Sequence, residues 1–284
     1  PNVLDAVRLA DGAKVVLRKT ATWRDEVPIL QKLKSYQADK RNHIVPILDI
    51  ILMPDTDEHL VLVMPFLREY YDPPFSRPIE AIHAVSQFLE TLEFLHEQNI
   101  AHRDFCRHNL MMNSDELLPG GFHFASPYCT PAGRYGLVFR DRAEVRPIQY
   151  FAVDMGLSSC LPSRRSLVTG VFGQDRTVPE LSWDIPYDPF KVDIYQLGQV
   201  ILQDMVNVYN DLEFLRPLAA VMTHEDPLYR PDIDEAIAVF QKTVEELPES
   251  VLQQKIEVVD QDFQYLLAPS PSRRTLCFMI PLDC

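Results

Sequence analysis

The chain has 284 residues, 46% of them apolar, and a formal net charge of -14. That is enough apolar material for a sizeable core in one large domain or two lobes, while the acidic excess argues against a surface that neutralises nucleic-acid phosphates with clustered Lys and Arg. The most apolar stretch, 44–53, is too short to span a bilayer and is interrupted by Pro46 and Asp49, so neither nucleic acid nor membrane is an expected partner.

The five cysteines, Cys106, Cys129, Cys160, Cys277 and Cys284, are odd in number and contain no CxxC pair. Zinc or dithiol redox chemistry has no spacing to build on, and a reducing intracellular setting, cytoplasmic or nuclear, is expected. No signal peptide is apparent, and the start at Pro1 reads as an excised piece of a longer protein.

In chain order, AKVVLRK (13–19) reads as a strand and WRDEVPILQKLKSY (23–36) carries helical spacing. HIVPILDIIL (43–52) and HLVLVMPF (59–66) read as further strands, so the first 65 residues predict a small, mostly β unit. From Pro78 the pattern changes: Ile79, Ile82, Val85, Leu89, Leu92 and Leu95 recur at three and four residues, which predicts a long amphipathic helix. Further helices are predicted over 192–209 and, after Pro231, over 232–247. Between the helix from Pro78 and the one over 192–209, the segment 119–146 is rich in Gly, Pro and aromatics without a period and predicts a surface loop or insertion. Beyond Ser250 an alternating KIEVVD precedes a polar PSPSRR run and an apolar end, a tail that either packs on the core or is mobile. There are no internal repeats.

The residues that carry chemistry begin with His102-Arg103-Asp104, followed by Asn109, directly after the long helix. Downstream, the apolar strand YFAV ends in Asp154-Met155-Gly156. Val178-Pro179-Glu180, then Asp193-Ile194-Tyr195-Gln196-Leu197-Gly198, then Arg230-Pro231 complete an ordered series. Each match alone would be an ordinary turn or surface charge; together, over about half the chain, they resemble the protein-kinase superfamily. Small-molecule phosphotransferases generally lack the last elements, so protein kinases are favoured over them. HRDFCRHNLMMN and YFAVDMGLSS look most like the kinase-like proteins common in mushroom-forming fungi.

The resemblance implies an α+β, two-lobed fold: a small β-rich lobe over 1–65, a helical lobe over 66–250 with catalytic loop and activation segment, and a tail over 251–284. It implies ATP and Mg²⁺ as cofactors, Asp104 as the base for a substrate hydroxyl, and Asn109 and Asp154 as metal ligands. Met155 replaces the usual Phe and keeps its apolar packing role. Glu180 is expected to pair with Arg230, and Asp193 to hold the catalytic-loop backbone. Arg103 is expected to face a phosphorylated activation segment, with Ser158, Ser159, Ser163, Ser166 and Thr169 as candidates.

Three departures bear on activity. Arg18 stands where the family places the phosphate-gripping Lys; the adjacent Lys19 substitutes only if a bulge turns it inward. Glu26 is the expected helix partner. Gly12 is the only glycine before Gly120, so the glycine-rich phosphate cover is not within this sequence. Cys106 stands where Ser/Thr kinases usually carry a Lys. At the hinge, Met64 aligns as gatekeeper, with the backbones of Pro65 and Leu67 facing an adenine. The reading is phosphoryl transfer to a protein hydroxyl, Ser/Thr or Tyr; the alternative is a pseudokinase that binds a partner protein as a scaffold.

Overall fold

The computed structural model describes residues 2–145 and 147–259. Cys277, Cys284, most of the expected tail and the last residue of its alternating stretch lie outside them. A four-stranded antiparallel sheet opens the chain. Its strands are β1 (Val3–Val7), β2 (Lys14–Ala21), then, after helix α1 (Glu26–Lys34), β3 (Asp49–Leu52) and β4 (His59–Pro65), in the spatial order β1-β2-β4-β3.

The helix packs on this sheet because Val27, Ile29, Leu30 and Leu33 fall on one face and are buried with Leu60, Leu62 and Met64 of β4. Acidic Glu26 in its first turn and Lys32 and Lys34 in its last suit the helix dipole. Of the segment 43–52 only Asp49–Leu52 is strand. Pro46 has no N–H to give a ladder, and 43–45 instead bond to the large lobe, Val45 N to Ala152 O at 3.0 Å and Ala152 N to His43 O at 2.9 Å. The two lobes are therefore joined behind the cleft as well as through the chain after Pro65.

The short strand β5 (Arg68–Glu69) begins the helical part, whose axis is α2 (Pro78–Glu97). Pro78 occupies the first turn, where a missing N–H costs nothing. The apolar stripe is buried along Ile82, Val85, Leu89, Leu92 and Leu95, and Ile79 at the edge is half-buried. At about 1.5–3 kcal/mol per fully buried aliphatic side chain, this stripe is a major contributor to the lobe. Strand β6 (Ile100–Ala101) follows, then β7 (Leu110–Met112) and β8 (Tyr150–Ala152), which join β5 in a three-stranded sheet under the cleft in the order β5-β7-β8. Strand β9 (Ser159–Cys160) pairs with β6, and β10 (Val168–Gly170) with β11 (Ser182–Tyr187).

Helix α3 (Pro189–Ile201) is capped by Asp188, whose side chain accepts from Phe190 N. It passes into a π-helical turn, Leu202–Val206, and so ends short of the expected Tyr209. It crosses α4 (Arg216–Met222) so closely that a Cβ on Gly198 would sit 2.7 Å from Met222 Cβ. Helix α5 (Ile233–Glu245) starts with a capping box between Asp232 and Glu235, and α6 (Glu249–Gln253) precedes Ile256, which is buried against the core. This is the expected α+β, two-lobed class. Among the described residues no helix is long and apolar enough to cross a membrane.

The region between β7 and β8 is the expected irregular insertion, largely exposed over 131–141. It is anchored at a few buried points, Phe122, Cys129, Arg142 and Val145, and Phe122 finds its partner at the hinge residue Phe66, a destination that no local period encodes.

Candidate active site

The site begins with a strand that shows alternate side chains to alternate faces. Arg18 and Thr20 fall on the same face of β2 and both reach Glu26, the first residue of α1. Arg18 Nη1 meets Glu26 Oε1, and Thr20 Oγ1 donates to Oε2 at 2.7 Å. Glu26 is only 1% exposed, so this pairing satisfies a carboxylate that burial would otherwise penalise. The other arm of Arg18, Nη2, donates to Asp154 Oδ1 at 2.6 Å. A guanidinium can bridge two carboxylates in this way, whereas an ammonium is a point charge. Lys19 does not join them. β2 runs in unbroken register against β4 from Val15 to Ala21, so Lys19 takes the opposite face and is exposed.

The catalytic-loop segment lies between β6 and β7 and is held from beneath by α3. Asp193, completely buried, accepts from His102 N at 2.8 Å through Oδ2 and from Arg103 N at 2.7 Å through Oδ1, and His96 Nε2 lies 3.0 Å from Oδ2. This grip accommodates Arg103 at φ 67°, the left-handed region that non-glycine residues rarely adopt. One turn along α3, buried Gln196 accepts from Phe105 N at 2.8 Å. The motif that includes Gln196 gave a role only to Asp193, although the i+3 spacing of the two puts them on the same helix face.

Asp104 and Asn109 are brought together. Asn109 Nδ2 donates to Asp104 Oδ2 at 2.9 Å and to its carbonyl at 2.9 Å. A third residue, not anticipated, completes the set: Gln174 N donates to Asp104 Oδ1 at 2.7 Å, and Gln174 Nε2 lies 3.4 Å from Oδ2. Asp104 is left 6% exposed. Its neighbour Cys106 adds no positive charge, and burial, followed by the Asp104 carboxylate, pushes the Cys106 thiol up to about 12.

Arg103 faces the segment that carries β9 and β10. Its Nη1 donates to Ser159 Oγ at 3.1 Å, and its Nη2 to Thr169 O at 3.1 Å. Of the candidate hydroxyls, Ser158 is buried and donates to His102 O at 3.2 Å, whereas Ser163 and Thr169 are exposed. Further along, Arg230 and Glu180 form a two-pronged ion pair at 2.6 and 2.8 Å that joins the end of this segment to the loop before α5.

Asp154, at φ 62°, accepts from Gly156 N at 3.2 Å and turns its carboxylate toward the cleft, 42% exposed, while Met155 is buried below. Between the lobes lies a cavity of about 230 Å³, bounded by Arg18, Asp154 and Asn109 at one end and by Met64, Pro65 and Leu67 at the other. The Leu67 N–H has no hydrogen-bond partner among the described residues and so can serve a ligand at the hinge end.

The oxygen set fits a magnesium ion carried in with phosphates. Asp154 Oδ2 makes no hydrogen bond among the described residues. Asn109 Oδ1 has only a 3.5 Å contact with Gln174 Nε2. These two hard oxygens belong to residues that line one cavity, and they suit an ion that takes one or two protein ligands and completes its shell from phosphates and water.

No family model matches the chain. It is similar to cyclin-dependent kinase 4 of Mus musculus, 29% identical over 121 residues, and to cyclin-dependent kinase 4 of Ovis aries and of Sus scrofa, each 32% identical over 120 residues. Each match covers 39% of this chain and 39% of the relative, so the chain spans about two fifths of the length of these curated relatives. With the β-rich and helical lobes already described, this similarity supports a protein-kinase-like, two-lobed fold.

Proposed function

We propose that the chain binds ATP with Mg²⁺ between its lobes and transfers the terminal phosphoryl group to a hydroxyl of a protein substrate. The observation that carries this is the meeting of Arg18, Asp154 and Asn109 at one end of a single interlobe cavity, with Asp104 hydrogen-bonded to Asn109 beside it. When bound, the magnesium ion supplies positive charge between the phosphates. Arg18, anchored by Glu26, offers a fixed cation at the phosphate end, and the hinge offers the Leu67 N–H to the base.

Asp104 takes the proton of the attacking hydroxyl. The substrate must first replace Gln174 at its carboxylate, so a shift of the activation segment accompanies productive binding. Asn109 meanwhile holds the carboxylate in orientation through its amide. The partner in this reading is a protein, and the setting is a reducing intracellular compartment, in keeping with five cysteines that are odd in number and contain no CxxC pair. The finer likeness to kinase-like proteins of mushroom-forming fungi rests on the motif sequences themselves.

A second reading, a binding scaffold with little catalysis, is favoured by the covering of Asp104 by Gln174 and by the engagement of Asp154 with Arg18. Melting temperature with millimolar ATP, with and without Mg²⁺, separates the two, because a ligand of the native state raises it. A magnesium-dependent rise that disappears in Asp154→Asn is expected. No rise with ATP under either condition would sink the nucleotide reading and leave the scaffold.

A further inference from the structure

The insertion between β7 and β8 is built onto the mouth of the cleft. Arg68, 2% exposed, is its main anchor. It pairs with Asp72, donates to Pro127 O at 2.8 Å, and lies 4.7 Å from the centre of the Phe122 ring. Phe122 in turn packs on the hinge residue Phe66 with ring centres 4.5 Å apart, and its carbonyl accepts from Lys14 Nζ of the small lobe at 3.1 Å. Farther along, Arg142 donates to Tyr70 O at 2.8 Å and to Tyr150 OH at 3.0 Å. Hinge, insertion and β2 are thus joined by aromatic and charged contacts, buried at Arg68 and Phe122 and part-buried at Lys14.

The next aromatic of the insertion, Phe124, is presented on a tight turn. His123 N donates to Cys129 O at 2.9 Å, Ser126 N to His123 O at 3.2 Å, and Cys129 N to Ser126 O at 2.8 Å. Backbone bonds of this kind fix a side chain's position better than an open loop does. From this turn the half-buried Phe124 ring reaches to 6.1 Å from Phe66, centre to centre, and lines the same interlobe cavity as Met64, Leu67 and Asp154.

We infer that Phe124 is a specificity-determining residue: an aromatic wall, supplied from outside the hinge, that limits the cavity to an unsubstituted purine base. The inference rests on the nucleotide reading proposed above. A purine is flat and apolar on its faces and is held by apolar side chains, and Val16 and Met111 line the cavity here. What such side chains cannot do is limit the outline of the ring at the open mouth. A rigid phenyl group there does so, excluding substituents by contact while adding an aromatic neighbour to the base.

The test uses the full chain and measures binding of ATP, N6-benzyl-ATP and a 2-anilino-substituted ATP by melting temperature and by titration calorimetry. The wild type is expected to bind ATP and neither enlarged analogue. Phe124→Ala is expected to bind at least one enlarged analogue and to bind ATP about 3- to 10-fold more weakly, the worth of one aromatic contact. Phe124→Trp keeps the wall and is expected to keep the wild-type selectivity. Lys14→Met loosens the tie between insertion and small lobe without touching the wall, and is expected to leave selectivity unchanged. A wild type that binds ATP, with a Phe124→Ala variant of the same selectivity, overturns the wall alone, as does broadening by Lys14→Met. A wild type that binds none of the three overturns the nucleotide reading and the wall together.

Discussion

Two aspartates, Asp193 and Asp154, stand in contrasting surroundings, one holding the loop between β6 and β7 and the other lining the interlobe cavity. Asp193 is completely buried, with both oxygens taken by backbone N–H groups of the loop and with His96 beside it. Asp154 is 42% exposed on its side chain, with one oxygen shared between Arg18 and Gly156 and the other without a hydrogen bond among the described residues. The first carboxylate is fully engaged and acts as a structural pin. The second retains capacity for something that is not protein. A buried polar group is stabilising when every lone pair is matched, and open to a ligand when one is not.

Breaking the pin gives the largest expected effect. Asp193→Ala leaves the His102 and Arg103 N–H groups without acceptors in the interior, at about 1–3 kcal/mol for each orphaned donor. A loss of about 4 kcal/mol is expected in urea unfolding, and a loss below about 1 kcal/mol would show that the loop holds itself. Next is Arg230→Met, which strands Glu180 in a largely buried position. It is expected to cost about 3 kcal/mol by the same measurement; a neutral result would mean that this ion pair only orients the activation segment.

Asp154→Asn sharpens the contrast from the other side. It alters an exposed carboxylate and is expected to change stability by less than about 1 kcal/mol, while removing the magnesium-dependent gain in melting temperature. The smallest effect concerns pH. The hydrogen bond from His43, aided by Ser86, holds the Glu90 carboxyl below the usual glutamate range against the opposing cost of burial. A carboxylate with a depressed folded-state pKa adds stability that is present above its unfolded pKa and is lost as pH falls through the folded value. Glu90→Gln should therefore lower stability slightly at neutral pH, leave it unchanged below the folded value, and so flatten the acid limb of a stability–pH curve; equal acid limbs would remove the pair from the account.

Much of the candidate site was legible because its residues lie close together in sequence or belong to an ordered set. Asp104 and Asn109 share one loop, and Arg18 and Glu26 are linked by one short connection. Other parts were not legible. Lys19 had an open role until the register of β2 assigned it to the opposite face. Gln174 meets Asp104 only after the chain between β10 and β11 has folded back, and Phe124 reaches the cleft only through a chain of contacts that begins at Arg68.

The sequence by itself determined the α+β class, the long axial helix and the identity of the chemically able groups, since these follow from the spacing of apolar side chains and from motifs whose members are near neighbours. Tertiary structure alone decided which groups are free to act. It satisfied Asp193, left Asp154 half-engaged, covered Asp104 and carried an aromatic ring from a pattern-free insertion to the cleft. Hydrogen-bond saturation and burial depend on what arrives from distant parts of the chain, and local spacing holds no record of that.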